Sequence, residues 1–519
     1  MFRAKELYLK NQVQGKMANT RKKCAPTPTF VSRNQLVLEG FESPFAKELN
    51  PENRWIVLAN LIPWDEICNI YLKAVPKKET GRPGLNPRIV LGSIIIKHLC
   101  DIDDRETVDQ ITENIYMQYF LGYSSFSDSP PFDASLFVEF RKNLGLDVIN
   151  SINEKIISLK TQLEENNNPK SDDSESDSKN QNNNRGTVIM DATACPQDIA
   201  YPTDLNLLND SREKSESLID LLYDKELHKK KPRTYREEAR KVYLKTAQRK
   251  SKTGIIIRKG VGQQLRYLKR NIRHINTLLD AYTGIPLQKK ELKYWYVIQE
   301  LYRQQLLMFE TQTKSVSDRI VSIHQPHVRP IVRGKSQAKV EFGAKIHCSM
   351  IDGITFLDEL NWDAFNEGSN LMEYVEKFKT RFGCYPKELL VDKIYSTREN
   401  RKNLKEKGIR LVGKPLGRPS LAAQIVLSPG ERNPIEGKFG QAKTGYGLDR
   451  IKARLQNTSE SWIASIFLVL NLVKLAGVAA HWFIVWLIES LLAYFIRKTE
   501  TNENRCDLNE NHTYELCLL

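Results

Sequence analysis

The chain carries a short apolar run that ends in a carboxylate, Gly186-Thr-Val-Ile-Met-Asp191. A second run of the same kind, Glu388-Leu-Leu-Val-Asp392, follows far along the chain. Short apolar runs of this type predict β-strands. Carboxylates at strand ends of an α/β sheet face the crevice where ligands bind. The two runs therefore predict a sheet with a polar site at Asp191 and Asp392.

The segments around these runs indicate an α/β fold with a mixed sheet. An Asp-Gly pair between two strand-like segments is a hairpin signal, and helix-like and strand-like segments then alternate, as α/β proteins require. The expected elements are the strands Lys339–Ser349 and Thr355–Asn361 joined by Asp352-Gly353, a helix over Ser369–Phe382, a helix over Thr397–Lys407, a strand over Gly408–Val412 and a helix over Glu431–Lys443.

A third acidic residue, Glu436, lies in Arg432-Asn-Pro-Ile-Glu-Gly-Lys-Phe-Gly-Gln-Ala-Lys443. If this stretch is helical, Arg432, Glu436 and Lys443 share one face. Two aspartates and one glutamate from separate elements can hold two Mg²⁺ ions about 4 Å apart. Mg²⁺ prefers oxygen ligands, so this chemistry needs no histidine or cysteine.

The bulk composition points to a globular protein with a polyanionic partner. The chain has 519 residues and a formal net charge of +15 at pH 7. Such an excess of positive charge suits nucleic acid. The eight cysteines form no CxxC pair, which favours reduced thiols over a disulfide framework or a zinc ribbon. The N-terminal stretch has no apolar segment that would predict a secretion signal.

Composition shifts divide the chain into five parts. The low-complexity Asn, Ser and Asp stretch buries too little apolar surface to order itself. We expect a flexible N-terminus at 1–37, a helical DNA-binding domain at 38–160, a disordered linker at 161–185, an α/β domain at 186–475 with a basic helical insertion at about 205–330, and an apolar C-terminal helix with a polar tail at 476–519.

The insertion holds the positive charge of the chain. Residues 225–273 contain 18 lysines and arginines against three glutamates, an excess of 15, so the rest of the chain is balanced. We expect this segment to contact DNA, because phosphates attract such charge. Two long helices follow, predicted over Leu265–Tyr282 and Leu292–Phe309. The DNA contacts are assigned to Lys229, Lys230, Lys231 and Arg233.

Two other segments have competing interpretations. The helical domain, in which one helix is expected over Thr107–Phe120, has the pattern of a DNA-binding domain and of any small helical bundle. The apolar run Leu475–Phe495 is long enough to span a bilayer. Glu489 inside it is costly in lipid, which favours a buried C-terminal helix pair.

Three acidic motifs together resemble those of insertion-sequence DDE transposases. Asp191-Ala-Thr-Ala and Leu390-Val-Asp392-Lys-Ile-Tyr395 are similar to the two aspartate regions, and Glu436 lies in a stretch similar to the glutamate signature. Pro429 stands where that signature usually has tyrosine. The likeness extends from about residue 38 to 475, and its N-terminal part includes Asn53-Arg-Trp55 and Gln118-Tyr-Phe120.

The resemblance implies an RNase H-like catalytic domain that cleaves and joins DNA at the ends of its own mobile element. It implies Asp191, Asp392 and Glu436 as catalytic metal ligands, with two Mg²⁺ ions that Mn²⁺ can replace. Arg432, Lys393 and Lys443 would contact DNA phosphates. The partners would be terminal inverted repeats, target DNA and further copies of the chain, in a prokaryotic cytoplasm. A nuclease that does not join DNA and a non-catalytic DNA-binding derivative are the alternatives.

Overall fold

The computed structural model describes residues 48–75, 84–167, 184–332, 340–412 and 433–477. These residues form one mixed sheet of six strands surrounded by helices. The strands are β1 (Thr187–Pro196), β2 (Arg329–Val332), β3 (Val340–Ile351), β4 (Ile354–Asn361), β5 (Glu388–Leu390) and β6 (Arg410–Val412).

The helices fall into three groups along the chain. The N-terminal group is α1 (Arg54–Leu61), α2 (Trp64–Ala74), α3 (Pro87–Cys100), α4 (Asp104–Glu113), α5 (Ile115–Phe120), α6 (Phe137–Asn143) and α7 (Leu146–Asn167). The insertion has α8 (Asp204–Leu222), α9 (Arg236–Ala247), α10 (Gly254–Leu279) and α11 (Lys289–Thr311). The remaining helices are α12 (Leu371–Phe382), α13 (Arg398–Glu406), α14 (Asn433–Gly445) and α15 (Gln456–Gly477).

The strand order is β2-β3-β1-β5-β6, and β4 pairs with β3 beside β2. β1 is antiparallel to β3 and parallel to β5, and β5 is parallel to β6, so the sheet is mixed as predicted. The β1–β3 contact is close at Gly343, where a Cβ atom would overlap the carbonyl oxygen of Cys195. Strand β2 pairs antiparallel with β3, and the sequence analysis did not predict it.

The hairpin between β3 and β4 is confirmed. Asp352 and Gly353 both have positive φ, at 50° and 80°. Two-residue turns of this kind match the twist of the strands that they join, and Asp-Gly is a preferred pair for them because both positions need positive φ.

Four of the N-terminal helices, α1, α3, α4 and α5, begin at polar capping residues. Asn86 accepts a hydrogen bond from the backbone of Arg88, and Pro87 opens α3. The single helix predicted over 107–120 is wrong, because it is divided at Asn114. That side chain accepts hydrogen bonds from the backbone N–H groups of Tyr116 and Met117, and so it starts a new helix.

The insertion forms a helical unit with its own hydrophobic core. α8 packs against α10 and α11, and the core includes Leu208, Leu268 and Ile298. The helix predicted from Leu265 begins earlier, at Gly254, so it continues through part of the basic segment. Ile255 and Ile257 are exposed in the first turn of this helix.

Helix α7 ends at Asn167 and so extends beyond the predicted boundary at residue 160. Its last residues are mostly leucine, lysine, glutamine and glutamate, which are good helix formers even though little apolar surface is available. Residues 168–183 of the predicted linker lie outside the described residues, as does the C-terminal segment from 478 onward.

Helix α15 packs between the N-terminal helices and the sheet. Its Trp462 ring lies 4.6 Å from the ammonium of Lys97 and 5.3 Å from the guanidinium of Arg141. Within the described part of the chain it is the one helix long and apolar enough to cross a membrane, and most of it is buried in the protein. Its apolar side chains are therefore explained by the core.

Asn471 joins three elements inside this core. Its Oδ1 accepts a hydrogen bond of 2.9 Å from the backbone N–H of Thr355 in β4. Its Nδ2 donates to the carbonyl of Thr355 and to Oδ1 of Asn153 in α7, both at 2.8 Å. The amide thus satisfies both backbone groups of Thr355, as a neighbouring strand would.

We expect Asn471→Ala to lower the free energy of unfolding by about 3 kcal/mol, because it leaves buried backbone and amide groups without hydrogen bonds. Urea denaturation measures the loss. The matched control is Asn457→Ala, an exposed asparagine on the same helix, which should change stability by less than about 0.5 kcal/mol. Equal effects of the two substitutions would contradict the role given to the Asn471 amide.

Candidate active site

The parallel pairing of β1 with β5 sets the relative position of the two predicted aspartates. Thr187, Val188 and Ile189 pair in register with Glu388, Leu389 and Leu390. Asp191 and Asp392 each follow the last of these pairs by two residues. Neighbouring strands lie about 4.8 Å apart. The two carboxylates therefore extend from adjacent strands at the same level of the sheet.

Asp191 lies inside a strand, whereas the sequence analysis placed it at a strand end. β1 continues to Pro196 because it remains paired with β3 after the pairing with β5 ends. Asp191 is half-buried opposite Cys348, and its Oδ1 accepts a hydrogen bond of 2.8 Å from the backbone of Ala192. Burial raises the pKa of the Cys348 thiol well above its usual range, so this group stays protonated.

Asp392 is exposed and starts a single turn of 3-10 helix at residues 393–395. Its Oδ1 accepts a hydrogen bond of 2.7 Å from the backbone of Lys393. The turn ends at the fully buried Tyr395, whose hydroxyl lies 3.3 Å from Oε2 of Glu367 and donates to it. Burial and the Glu367 carboxylate raise the pKa of Tyr395, so its hydroxyl remains a donor.

Lys345 on β3 holds Glu367 in place. Its ammonium lies 2.9 Å from Oε1 of Glu367 and donates to the carbonyl of Phe365 at 2.7 Å. Both side chains of this ion pair are mostly buried. A chain of contacts, Lys345–Glu367–Tyr395, therefore connects strand β3 to the turn that carries Asp392.

The loop that contains Glu367 lies directly against the Asp392 turn. A Cβ atom on Gly368 would overlap the carbonyl oxygen of Ile394. The side-chain amide of Asn400 donates to the carbonyls of Gly368 and Tyr395, at 2.7 and 2.9 Å. The close approach therefore requires glycine at position 368.

A buried carboxylate, Asp358, lies on β4, which is separated from β1 by β3. Asp358 occupies a bulge of β4, 2.6 Å from Nη1 of Arg381 and 3.3 Å from Nδ1 of His347. Burial alone would raise the pKa of Asp358, but His347 and the Arg381 guanidinium outweigh it and hold this pKa below its usual range. The carboxylate is therefore charged and paired inside the protein.

The predicted glutamate lies on α14, a helix that contacts β1. Ile435, Phe439 and Ala442 form the buried face of α14. Glu436 is exposed beside that face, and Lys443, two turns further along, is half-buried. The helix itself is confirmed as predicted from Asn433 onward, and Arg432 lies outside the described residues.

The three acidic residues thus belong to elements that meet at β1. They are not drawn into one cluster, since the described ranges contain no group of three His, Cys, Asp or Glu side chains placed to hold a metal ion. The donor chemistry nevertheless fits Mg²⁺ or Mn²⁺, because both aspartates and Glu436 offer carboxylate oxygens, which these ions prefer.

Five of the predicted DNA-contacting residues are exposed. Lys393 is exposed immediately after Asp392. Four further cations lie in the exposed segment before α9; Lys231 forms an ion pair of 2.8 Å with Asp220, and the guanidinium of Arg233 stacks on Tyr235 at 5.0 Å. The other two are Lys229 and Lys230.

Sequence reasoning missed Glu367 and Lys345. Tyr395 stood within a quoted motif without a role. The only signal for this chain of contacts was the position of Tyr395 three residues after Asp392. Glu367 lies in a loop with no periodicity, so only the folded structure brings it to Tyr395.

Comparisons with known proteins match two parts of the chain to transposase families. Residues 389–473 match the family model described as "Transposase DDE domain", and residues 43–143 match "Transposase domain (DUF772)". A protein of Rhizobium meliloti, "Uncharacterized protein ORF8 in nfe locus", is 31% identical over 162 residues, which cover 31% of this chain and 69% of that protein. No solved structure matches.

The chain is therefore a member of a transposase family. Within that class it belongs to the DDE transposases, and the resemblance inferred from its three acidic motifs is confirmed.

We expect Gly368→Ala to lower the free energy of unfolding by about 1–3 kcal/mol, because the added Cβ forces the loop away from the Asp392 turn. Chemical denaturation measures the change. The control is Gly440→Ala in α14, where an added Cβ meets open space. That substitution should stabilise the protein by about 0.5–1 kcal/mol, since glycine is a poor helix former. Stabilisation by both substitutions would contradict the close approach at position 368.

Proposed function

We propose that this protein catalyses metal-dependent DNA cleavage and strand transfer at the ends of an insertion element. The observation that carries the proposal is the pair of carboxylates at the same level of the sheet, Asp191 in β1 and Asp392 two residues after the parallel strand β5. A mixed sheet with helices on its faces supports an RNase H-like catalytic domain at 186–475, and the family match supports DNA as the substrate.

Asp191, Asp392 and Glu436 would hold the metal ions. When bound, two Mg²⁺ or Mn²⁺ ions activate a water or a 3′-hydroxyl and stabilise charge on the attacked phosphate. The protein positions its own ligands. Tyr395 and Glu367 hold the Asp392 turn, and the packing of α14 on β1 carries Glu436 towards the same strand.

The cations beside these carboxylates would hold the DNA backbone. Lys393 directly follows Asp392, and Lys443 lies on the face of α14 that carries Glu436. We assign both residues, together with Arg432, to phosphate contacts. Such contacts orient DNA but carry no sequence information.

The remaining assignments extend the same proposal. The helical region 38–160 would recognise the terminal inverted repeats, and its match to a transposase domain supports this role. The chain would act on element ends and target DNA as a homo-oligomer in the prokaryotic cytoplasm. Residues 1–37, 161–185 and 476–519 would flank or link these domains.

Each of the changes Asp191→Ala, Asp392→Ala and Glu436→Ala should abolish DNA cleavage and leave DNA binding largely intact. The reason is that metal coordination needs all three carboxylates, whereas affinity comes mainly from contacts with phosphates. Cleavage and joining of labelled element ends measure activity. Wild-type protein should be active with Mg²⁺ or Mn²⁺, and Ca²⁺ should support binding only.

The control is Glu399→Ala, an exposed carboxylate on α13, which should cleave at the wild-type rate. Strong cleavage in EDTA would rule out metal-dependent chemistry. Wild-type cleavage by Glu436→Ala would move the third ligand elsewhere, with Glu431 the nearest candidate in sequence. Cleavage without joining would identify a nuclease.

We further propose that residues 225–273 lie along DNA outside the active site. Of their 18 lysines and arginines, 17 are exposed, and only Arg270 is half-buried. Burial lowers the pKa of Arg270, whose guanidinium stacks on Tyr235 and Tyr267. The segment therefore presents nearly all of its charge to solvent, where phosphates can reach it.

Changing Lys229, Lys230, Lys231 and Arg233 together to glutamine should make the slope of log K against log salt shallower by up to about 3, because each phosphate contact contributes about 0.9. We do not expect the slope change of four full contacts, because Lys231 already forms an ion pair with Asp220. Fluorescence anisotropy on specific and random duplexes measures the slope, which should change equally for both.

The matched control removes four exposed lysines near the amino-terminal edge of the parallel strands and on α13: Lys379, Lys387, Lys402 and Lys405. Its salt slope should equal that of wild type. An unchanged slope in the Lys229–Arg233 variant would show that the basic segment serves another purpose, such as subunit contact.

A further inference from the structure

A short stretch after α14, residues 450–454, is attached to the far end of β1. The backbone N–H of Ile451 donates to the carbonyl of Pro196 at 2.9 Å, and that of Asp198 donates to the carbonyl of Ile451 at 3.0 Å. The buried side chain of Gln197 donates to the carbonyl of Ala453. The stretch is therefore held by the last residue of β1 and by the two residues that follow it.

Alternate residues of this stretch face opposite ways. Ile451 and Ala453 are buried, whereas Arg450, Lys452 and Arg454 are exposed. This alternation places the three cations on one side of the stretch. We call these three side chains the 450–454 row.

The row keeps most of its charge available. Arg450 uses its Nε to donate to Oδ1 of Asp198 at 3.0 Å. A guanidinium has five N–H donors, so this contact leaves others for a second acceptor. Lys452 and Arg454 are exposed beyond it.

The positive surface continues from Arg454 into the insertion. Burial lowers the pKa of His324. The Asp210 carboxylate opposes this shift, and the nearby charges of Arg454, Lys214 and Lys293 add to it. The ammonium of Lys214 lies 4.4 Å from the ring of Tyr294, and that of Lys293 lies 3.4 Å from the carbonyl of His324. Cations from α8 and α11 thus adjoin the end of the row.

The row also has a definite position relative to the candidate active site. Both lie along β1, and Pro196 follows Asp191 by five residues, or about 17 Å of strand. If the axis of a bound duplex ran along β1, this separation would correspond to about five nucleotides, because charges along one DNA strand repeat about every 3.4 Å of helix axis. An exposed aromatic ring, Tyr201, stands near the same end of β1, edge-on to Phe342.

We propose that the 450–454 row binds the phosphate backbone of DNA about five nucleotides from the cleaved bond. The proposal rests on the proposed function, since it takes the carboxylates on β1 and β5 as the cleavage site. It gives the DNA a second set of contacts, separate from residues 225–273. An extended row of three cations, continuous with further cations, complements a repeating line of negative charge better than it complements an isolated acidic side chain.

The test compares two triple variants of the full chain that remove the same charge. The row variant is Arg450→Gln, Lys452→Gln and Arg454→Gln. The control variant is Lys379→Gln, Lys387→Gln and Lys405→Gln, whose three lysines are exposed near the opposite edge of the sheet. Binding of a random-sequence duplex is followed by fluorescence anisotropy over a range of NaCl concentrations.

We expect the salt slope of the row variant to be shallower than wild type by up to about 2.7, at 0.9 for each contact, and the slope of the control to be unchanged. The single variant Lys452→Gln should show about one third of the effect. This single variant keeps the proposal testable if the triple variant is unstable, because it changes only one exposed side chain.

Equal slopes for the row variant, Lys452→Gln and the control would overturn the proposal. A photo-crosslinking residue at position 452 should also attach to DNA, whereas one at position 387 should not, and the reverse pattern would overturn it too. Failure of the proposed function looks different. In that case the wild-type protein itself would not bind or cleave DNA, whereas failure of the row alone leaves both activities intact.

Discussion

The architecture depends on one strand that is hydrogen-bonded along both edges in opposite senses. β1 pairs parallel with β5 for three residues and antiparallel with β3 for eight. The parallel pairing brings Asp191 level with Asp392, and the antiparallel pairing extends β1 beyond Asp191 to Pro196. A shift of this register by one residue would turn every side chain of β1 to the other face of the sheet. The site and the core are therefore specified together.

The polar groups around this strand are stabilised in two ways. Glu367 and Asp358 are withdrawn from solvent and paired with Lys345 and Arg381, which compensates for their burial. Removing one partner of such a pair costs several kcal/mol, about 3–5 in other proteins, because it leaves an uncompensated charge. Asp392, in contrast, stays exposed on a turn that these buried contacts support. A rigid turn with an exposed carboxylate suits a group that must meet a ligand from solution.

Local sequence signals predicted the parts of the fold that depend on local chemistry. The apolar run before Asp191 predicted the start of β1, Asp352-Gly353 predicted the hairpin turn, and helical spacing around Glu436 predicted α14. The end of β1 was not predictable in this way. After Asp191 the strand continues through Ala192-Thr-Ala-Cys-Pro196 only because β3 supplies hydrogen bonds from another part of the chain.

In the candidate site, too, local sequence predicted some residues, whereas contacts between distant parts of the chain could not be predicted. Asp191, Asp392 and Glu436 were found because each carboxylate follows a recognisable run or lies in a recognisable motif. The hydrogen bond between Tyr395 and Glu367 joins side chains 28 residues apart, and no periodicity in the sequence predicts it. The 450–454 row escaped notice because an alternation of charged and apolar residues over five positions has little statistical weight until Gln197 is seen to hold it against β1.

The Asn471 contacts constrain the order in which parts of the protein can fold during synthesis. Asn471 bonds to Asn153, 318 residues earlier, and to Thr355, 116 residues earlier. The N-terminal helices leave the ribosome long before α15 is synthesised. Until then, the apolar surface that packs against α15 remains exposed to solvent. Contacts between distant parts of a chain form slowly, since a long loop must close first. The core shared by the N-terminal helices and the sheet therefore cannot be completed until α15, the last described helix, has been synthesised.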